Sequence, residues 1–479
     1  ELTGRAFRRV SACESIETVA ANSADRDISV WEFYSIVAAS SDEVELKCDK
    51  TLAALREVGF EWDEIGADYL AKAGELLEVS GFTPERPQND GKLNHIQRLF
   101  LGKLADAKTH PQKTVSGAGS VARLKETLPG AHKPFVITFP QLLENGGVKA
   151  ALDAFDDRFV FTGVKGEPDT TVCREAVRMF TENGCDCVAA MGGGSVLDCA
   201  KLVCLGAANP DREFEELCRL YRRDTPRVPF TAVPTTAGTG SEVTLFAVVT
   251  NDEGKKHPFA SGEFLPDTVI LDPELTVSVP KNHTAYTAVD ALSHAVESYC
   301  SLYAPSFKDD VAHAPGAVRA IFENLPKALE DPGDLGARAA LQNAAYEAGL
   351  SFRRASTGYV HAVAHRLGEI YHLPHGLAIA KAFVPVLRRS AGIEPRLAEL
   401  SLACGFVQEG TQSAEAAESF IERLEELIAK TAPETAGIKV RPEDVPLIVA
   451  DAQDEAKVTG YPYWFSDAEL AELVSSLSD

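Results

Sequence analysis

Short apolar runs alternate with helically spaced segments through the middle of this chain of 479 residues. The apolar runs predict β-strands at residues 135–138, 158–161, 187–191, 230–233 and 269–271. Between them, residues 172–180 and 196–205 space their apolar positions by three and four, which predicts α-helices. Strands that alternate with helices predict a parallel sheet, and such sheets bind ligands beyond the carboxyl ends of their strands.

Helical spacing dominates the rest of the chain. After residue 280 the strand signals fade, and helices are predicted at residues 287–300, 316–329, 335–356, 360–370 and 413–430. Before residue 112, the same spacing occurs at residues 44–58, 65–79 and 93–104, separated by polar breaks. The pattern therefore predicts an α/β domain followed by an all-helical domain, with a small helical extension in front. We expect the extension to serve docking or oligomerisation, because it gathers no polar side chains suited to chemistry.

A glycine-rich turn follows the third predicted strand and opens a predicted helix. Gly192, Gly193 and Gly194 precede Ser195. Glycines allow a bulky anion to approach the backbone, and the free N–H groups and dipole of a helix N-terminus favour a pyrophosphate. Ser195 and Asp198 also fit a helix-capping box, and the two roles are compatible.

A second loop, at residues 234–244, follows the fourth predicted strand. Its threonines, including Thr236 and Thr239, alternate with glycines. Such a loop has many short hydrogen-bond donors with which to wrap a nucleotide. The alternative, a solvated loop without a ligand, has the same composition.

Carboxylate and imidazole side chains recur at helical spacing in the second half. Asp290 and His294 lie four residues apart, which places them on one helix face, and His361 and His365 repeat the spacing. His375 follows at a predicted turn or helix start. One carboxylate and three imidazoles make an open site for Zn²⁺ or Fe²⁺. Glu297 lies on the same predicted helix, three residues after His294. A helical ion pair with His294 explains its presence as well as a role at the metal site does.

Composition excludes some other classes of protein. The formal net charge of -24 argues against nucleic-acid binding, which needs a basic surface. The sequence contains no run of about eighteen apolar residues, so it predicts no membrane span. The ten cysteines are scattered without a Cys-x-x-Cys pair, so we expect free thiols in a reducing compartment rather than disulfides. We therefore expect a cytoplasmic protein.

In this order, these segments resemble the iron-containing (group III) alcohol dehydrogenase family. The resemblance runs from about residue 115 to residue 479 and rests on the glycine turn with Asp198 and Lys201, and on residues 234–244, 271–276, 290–299 and 358–376. It implies a Rossmann-like dinucleotide-binding domain at residues 113–279 and an all-helical metal-binding catalytic domain at residues 280–479, with the active site in the cleft between them. The helical extension, residues 1–112, has no counterpart in an ordinary member.

The resemblance also assigns roles to individual residues. The implied metal ligands are Asp290, His294, His361 and His375. The implied cofactor-binding residues are Gly193, Gly194, Ser195, Asp198, Thr236, Thr239 and Lys256. The adjacent Lys255 is the alternative match to the family's cofactor-contacting lysine. His365 matches a histidine near the nicotinamide that is given a proton-relay role in the family, and a neutral imidazole suits that role.

Two departures from the family pattern concern the adenosine side of the cofactor. In many members, a threonine at the end of the first predicted strand is followed by an acidic residue that holds the adenosine ribose. Here the corresponding threonine, Thr138, is followed by Phe139. Since a carboxylate would repel a 2′-phosphate, its absence leaves the choice between NAD and NADP open. The usual Asn-Pro pair is replaced by Glu167 and Pro168.

The implied activity is that of a metal-dependent, NAD(P)-dependent alcohol dehydrogenase or aldehyde reductase. Its cofactors are Fe²⁺, with Zn²⁺ as the alternative, and NAD or NADP; its partners are a small alcohol or aldehyde and further copies of the chain in a homo-oligomer. A glycerol dehydrogenase-like or dehydroquinate synthase-like enzyme of the same fold is the nearest alternative. An assembly component whose N-terminal module mediates oligomerisation is a third reading.

Overall fold

A parallel sheet of six strands organises the first half of the described chain. The computed structural model describes residues 89, 91–107, 112–218, 225–251 and 256–478. The strands of the sheet are β1 (Lys113–Ser116), β2 (Pro134–Ile137), β3 (Phe159–Phe161), β4 (Cys187–Gly192), β5 (Phe230–Pro234) and β8 (Thr268–Leu271). Their order is β1-β8-β5-β4-β2-β3, and every neighbouring pair is parallel. All five predicted strands are present, and the predicted α/β class is confirmed.

The sheet is apolar on both faces because helices cover both of them. Every residue of β2, β4 and β5 is buried, as expected of central parallel strands, which read as continuous apolar runs. From β2 the chain moves outward to β3 and then returns to β4 on the other side of β2. The strand order therefore reverses between β2 and β4, and ligands bind at such a reversal in open α/β sheets.

Six described helices precede or accompany the sheet. They are α1 (His95–Asp106), α2 (Leu124–Thr127), α3 (Gly146–Asp153), α4 (Thr170–Glu182), α5 (Gly194–Ala208) and α6 (Phe214–Leu217). Helix α4 buries Cys173, Ala176 and Phe180 on one stripe, and the side chain of Asp169 caps its first turn by accepting from the Val172 N–H. Helix α5 is buried along most of its length, which places its N-terminus rigidly at the end of β4.

After residue 280 the described chain is helical, as predicted. The longer helices are α7 (Lys281–Cys300), α9 (Ala314–Glu330), α10 (Leu335–Ala355), α11 (Tyr359–Tyr371), α12 (His375–Arg389), α13 (Glu394–Ala403), α14 (Ser413–Thr431), α15 (Val445–Ala456) and α16 (Asp467–Ser476), with the short α8 at Lys308–Val311. Helix α7 is buried on nearly all sides and packs against α9, α10 and α12. No helix among the described residues is long and apolar enough to cross a membrane.

A two-stranded antiparallel hairpin and helix α1 complete the described chain. The hairpin, β6 (Phe246–Thr250) with β7 (Lys256–Ala260), was not predicted. Helix α1 buries Leu104 in one cluster with Leu245, Leu265, Tyr303 and Phe307. The Gln97 side chain donates to the Thr459 carbonyl at 2.8 Å.

Helix α1 therefore packs on residues from both predicted domains, although it lies within the predicted extension. It belongs to a compact unit that spans residues 87–479. The helices predicted at residues 44–58 and 65–79 lie outside the described residues, and the predicted domain boundaries stay predictions.

Candidate active site

Three of the predicted metal-binding side chains, all imidazoles, converge on one carboxylate oxygen of the fourth, Asp290. Asp290 and His294 lie on α7, His361 on α11, and His375 is the first residue of α12. The Asp290 Oδ1 atom lies 3.7 Å from His294 Nε2, 3.6 Å from His361 Nε2 and 3.3 Å from His375 Nε2. Asp290, His294 and His361 are buried, whereas about a third of the His375 side chain (35%) is exposed. The site is therefore closed on one side and open towards His375.

Close packing between α7 and α12 brings His375 to this point. The next residue, Gly376, is pressed against α7, because a Cβ at this position would overlap the carbonyl oxygen of Tyr286. Tyr286 lies one turn before Asp290, so the contact sets the start of α12 beside the carboxylate. A glycine is required here for close approach rather than for an unusual backbone angle.

The donor atoms fit a divalent cation. Asp290 Oδ1 and His361 Nε2 are buried and have no hydrogen-bond partner among the described residues. Buried polar atoms are rarely left without a partner, so these two indicate a missing ligand. Atoms that bind one tetrahedral cation at about 2.1 Å lie about 3.4 Å from each other, close to the separations seen here. Three imidazoles and a carboxylate suit Fe²⁺ or Zn²⁺.

Burial and mutual charge set the protonation of this cluster. Burial would raise the pKa of Asp290, but the imidazoles of His294 and His375 hold that pKa well below its usual range. Burial lowers the pKa of His294 to about 3 and also lowers the pKa of His375. Burial alone would lower the pKa of His361, but the Asp290 and Glu297 carboxylates that face its two ring nitrogens raise it to about 10. A cation would displace the proton on His361, since a ligating imidazole must be neutral.

Glu297 is a functional candidate that the sequence interpretation missed. It was paired with His294 by helical spacing, but its Oε2 atom lies 2.6 Å from His361 Nδ1, and its Oε1 atom accepts from the Val360 N–H at 2.9 Å. Glu297 is 1% exposed, so this pairing is shielded from water. The chain approaches it through Gly358, where a Cβ would lie 2.9 Å from Glu297 Oε1 and would overlap the ring of Tyr461.

His365 lies beside the cluster and has a carboxylate of its own. Its ring is stacked 5.2 Å from the ring of His375, centroid to centroid. Both carboxylate oxygens of Glu455, on α15, lie within 3.0 Å of His365 Nδ1. Partial burial would raise the pKa of Glu455, but the charge of His365 lowers the pKa of that carboxylate. Glu455 was not predicted, because it lies 90 residues further along the chain and reaches His365 only through the packing of α15 on α11.

The two predicted cofactor loops touch each other at the carboxyl ends of β4 and β5. A Cβ on Gly193 would lie 3.4 Å from the Thr236 side chain, and a Cβ on Gly194 would lie 2.9 Å from the Thr239 side chain. The glycines therefore let the two loops pack together at the N-terminus of α5. The predicted cofactor-binding residues Gly193, Gly194, Thr236 and Thr239 therefore lie together, where a pyrophosphate is expected.

The predicted helix cap at this loop is wrong. Gly193 is the N-cap residue of α5, and no side chain caps that end, so Ser195 lies inside the helix. Asp198 instead links the loops: its Oδ1 accepts from Ser241 Oγ at 2.6 Å, and its Oδ2 accepts from the Val248 N–H at 2.9 Å. Both oxygens are engaged by protein groups, so Asp198 holds the loop in shape.

Two of the residues predicted to lie on the adenosine side of the cofactor pair with each other. Lys256 Nζ lies 2.6 Å from Glu167 Oε1, so the residue that replaces the family asparagine pairs with the predicted cofactor-contacting lysine. The neighbouring Lys255 lies outside the described residues. Thr138 is fully buried at the end of β2, and Phe139 stands where a ribose-binding carboxylate is common. The described geometry thus places no carboxylate at position 139.

Family models match most of the chain. The model described as iron-containing alcohol dehydrogenase matches residues 111–273, and the model described as Fe-containing alcohol dehydrogenase family, C-terminal, matches residues 284–477. The chain belongs to the iron-containing alcohol dehydrogenase family. The family prediction is therefore confirmed, and the gap between the two matched regions runs from just after β8 to the first turn of α7.

The chain is similar to several known members of the family. One is the probable alcohol dehydrogenase EutG of Escherichia coli (strain K12), which is 44% identical over 46% of this chain. That alignment covers 56% of EutG, so the chain spans little more than half the length of this relative. The NAD-dependent methanol dehydrogenase of Bacillus methanolicus is 33% identical over 76% of this chain and 98% of its own length. An alcohol dehydrogenase structure from Oenococcus oeni has a TM-score of 0.72 and 29% identity, with 77% of this chain and 98% of that chain covered.

Proposed function

We propose that this chain is a metal-dependent alcohol dehydrogenase or aldehyde reductase that uses a nicotinamide dinucleotide. The observation that carries the proposal is the convergence of three imidazole nitrogens on Asp290 Oδ1 at 3.3 to 3.7 Å. An unpaired buried carboxylate oxygen among imidazoles has no structural use without a cation. Membership of the iron-containing family favours Fe²⁺, and the donor set also suits Zn²⁺.

Asp290, His294, His361 and His375 would hold the cation. When bound, it supplies Lewis acidity to a carbonyl or alkoxide oxygen, and the nicotinamide carries the hydride. His375 lies on the exposed side of the cluster, so the substrate enters there. The buried His294 ring is stacked 4.0 Å from the Phe352 ring, which fixes its orientation and closes the opposite side.

His365 would exchange the alkoxide proton with solvent. About a third of its side chain (37%) is exposed, and its ring lies next to His375. The Glu455 carboxylate can only accept a hydrogen bond, so it holds a proton on His365 Nδ1 and leaves the lone pair on Nε2. A ring fixed in this way can take or give a proton at one defined atom.

Gly193, Gly194, Ser195, Thr236 and Thr239 would bind the cofactor pyrophosphate and nicotinamide side. We propose that both NAD and NADP are accepted, because Phe139 offers no negative charge to repel a 2′-phosphate and the Glu167 charge is already paired with Lys256. Phe139→Asp should then lower kcat/KM for NADPH far more than for NADH. An equal effect on both cofactors would contradict this assignment.

Metal analysis of the purified chain, with turnover of short aldehydes by NADH and by NADPH, tests the main proposal. One Fe²⁺ or Zn²⁺ per chain and metal-dependent oxidation of a reduced cofactor are expected. His375→Ala should lose metal and turnover together. His372→Asn is the matched control, because His372 is exposed, lies three residues away and has a left-handed φ of 53° that asparagine tolerates. Full turnover by His375→Ala in chelator would contradict the ligand assignment.

A homo-oligomer in the cytoplasm stays a prediction. An assembly role without catalysis would appear in the same experiment as a chain that binds no metal and oxidises no cofactor. The glycerol dehydrogenase-like and dehydroquinate synthase-like alternatives are separated by substrate, since neither short aldehydes nor short primary alcohols would then be turned over.

A further inference from the structure

Glu297 is a buried carboxylate whose two oxygens have different partners. Its Oε1 atom accepts from the Val360 N–H at 2.9 Å, and its Oε2 atom lies 2.6 Å from His361 Nδ1. Both partners are at the start of α11, and one of them is an implied metal ligand. Since burying a carboxylate is costly, this one is expected to have a specific use.

We propose that Glu297 is a positioning residue that holds His361 in the tautomer able to bind metal and thereby sets the affinity of the site for divalent cations. The inference deepens the proposed function and rests on it. Glu297 touches neither the cation nor the substrate in this scheme, because both of its oxygens are already occupied.

The geometry of the His361 ring carries the argument. A neutral imidazole has one protonated nitrogen and one lone pair. Because a carboxylate can only accept, the 2.6 Å contact places the proton on Nδ1. The lone pair is then on Nε2, the atom that faces Asp290 Oδ1 and lacks a hydrogen-bond partner among the described residues. A carboxylate behind a ligating histidine also makes that histidine a stronger ligand.

The conservative variant Glu297→Gln tests the tautomer directly. Its amide has one oxygen and one NH₂ group, and the Val360 N–H requires the oxygen. The NH₂ group then faces His361 Nδ1 and donates to it, which moves the imidazole proton to Nε2 and removes the lone pair from the metal site. Binding metal would require the amide to turn over and leave two N–H groups facing each other. Leaving such a buried group unpaired opposes metal binding.

The experiment measures Zn²⁺ affinity by competition with a chromophoric chelator, and metal per chain after dialysis. Zn²⁺ is used as the probe because it does not change oxidation state. We expect the Kd of Glu297→Gln to rise by about 10- to 100-fold, the range found when a partner of a ligating histidine is lost. Glu323→Gln, the same substitution at an exposed position of α9, should leave the Kd unchanged. The metal-free melting temperatures should agree, since Gln has the size and shape of Glu.

A Kd for Glu297→Gln equal to that of the wild-type chain would overturn the inference while leaving the proposed function intact. A wild-type chain that binds neither Zn²⁺ nor Fe²⁺ would overturn the proposed function, and the inference with it. If Glu297→Gln does not fold, the histidine ¹⁵N spectrum of the metal-free wild-type chain decides. A proton on His361 Nδ1 supports the inference, and a lone pair on Nδ1 contradicts it.

Discussion

At the scale of single residues, two histidines on α11 have the same arrangement with different consequences. His361 and His365 each present Nδ1 to a carboxylate, Glu297 for the first and Glu455 for the second. His361 turns its other nitrogen to Asp290, whereas the ring of His365 lies on the exposed side beside His375. In the proposed function, the first pair therefore acts on metal binding and the second on proton transfer.

Glu455→Gln should lower kcat while metal content stays at the wild-type level. The amide can donate to His365 Nδ1 and so favour the tautomer with the proton on Nε2, which interrupts the proposed proton path. We expect a loss of about tenfold or more in kcat, within the range of general acid–base effects. Asp454→Asn, a neighbouring exposed position, is the control. Loss of metal from Glu455→Gln would instead place Glu455 among the groups that support the ligands.

Glu242 gives a pH dependence of stability that is separate from the metal cluster. It is 3% exposed, and burial raises its pKa to about 7, against a partial lowering by the Lys201 charge. The folded chain therefore binds this proton more tightly than the unfolded chain does, and stability falls as pH rises from about 4.5 to about 7. The loss across this window is on the order of 3 kcal/mol at most.

Glu242→Gln should remove that fall. Melting temperatures of the variant and the wild-type chain, measured at pH 5, 6, 7 and 8, should differ increasingly in favour of the variant as pH rises. Glu144→Gln, at an exposed position, should follow the wild-type curve throughout. Parallel curves for Glu242→Gln and the wild-type chain would show that Glu242 does not titrate in this window.

At the scale of elements, Gly376→Ala tests the contact that places α12 on α7. The added methyl would overlap the Tyr286 carbonyl, which belongs to a helix backbone and cannot move freely. Overpacking of this kind costs about 1–3 kcal/mol, and here it should also move His375 and weaken metal binding. Gly102→Ala is the control, because a Cβ at that helical position meets nothing within 4 Å. Unchanged melting temperature and metal content in Gly376→Ala would contradict this account.

Periodicity predicted the elements whose burial is one-sided or continuous, and it missed the others. The strands from Phe135, Cys187 and Phe230 are uninterrupted apolar runs in a covered sheet, so they were found. Strand β1 is short and mostly exposed, and β7 of the hairpin begins with polar residues and contains Pro258, so both were missed. Helix α12 was missed because it contains Pro385, a residue that usually ends a helix.

The same limit applies to the candidate site. Spacing within one helix predicted Asp290 with His294, and His361 with His365, because neighbours at four residues share a face. Glu297 and Glu455 are paired across 64 and 90 residues, and their partners depend on how α7, α11 and α15 pack. The cap expected from Ser195 and Asp198 was wrong because the turn after β4 enters α5 at Gly193 instead.

At the scale of the whole molecule, helix α1 shows that the compact unit begins before the family match does. The family match starts at residue 111, but α1 precedes it and packs on both the hairpin and the helical region. Tyr303 Oη donates to the Gln97 carbonyl at 3.2 Å, and the Phe100 ring lies 6.4 Å from the Tyr303 ring. Removing α1 would expose the apolar cluster around Tyr303.

Two truncations separate the compact unit from the family match. A chain that begins at Pro87 keeps α1, so it should retain wild-type metal content, turnover and melting temperature. A chain that begins at Lys113 loses the buried Leu104 side chain and the Gln97 hydrogen bonds. Burial of one such side chain contributes about 1.5–3 kcal/mol, so this chain should melt several degrees lower and aggregate through the uncovered cluster. Equal stability of the two truncated chains would show that α1 adds nothing to the catalytic unit.

Gel filtration of the full chain, compared with the chain that begins at Pro87, measures what residues 1–86 contribute to oligomerisation. These residues belong to the extension for which that role is predicted.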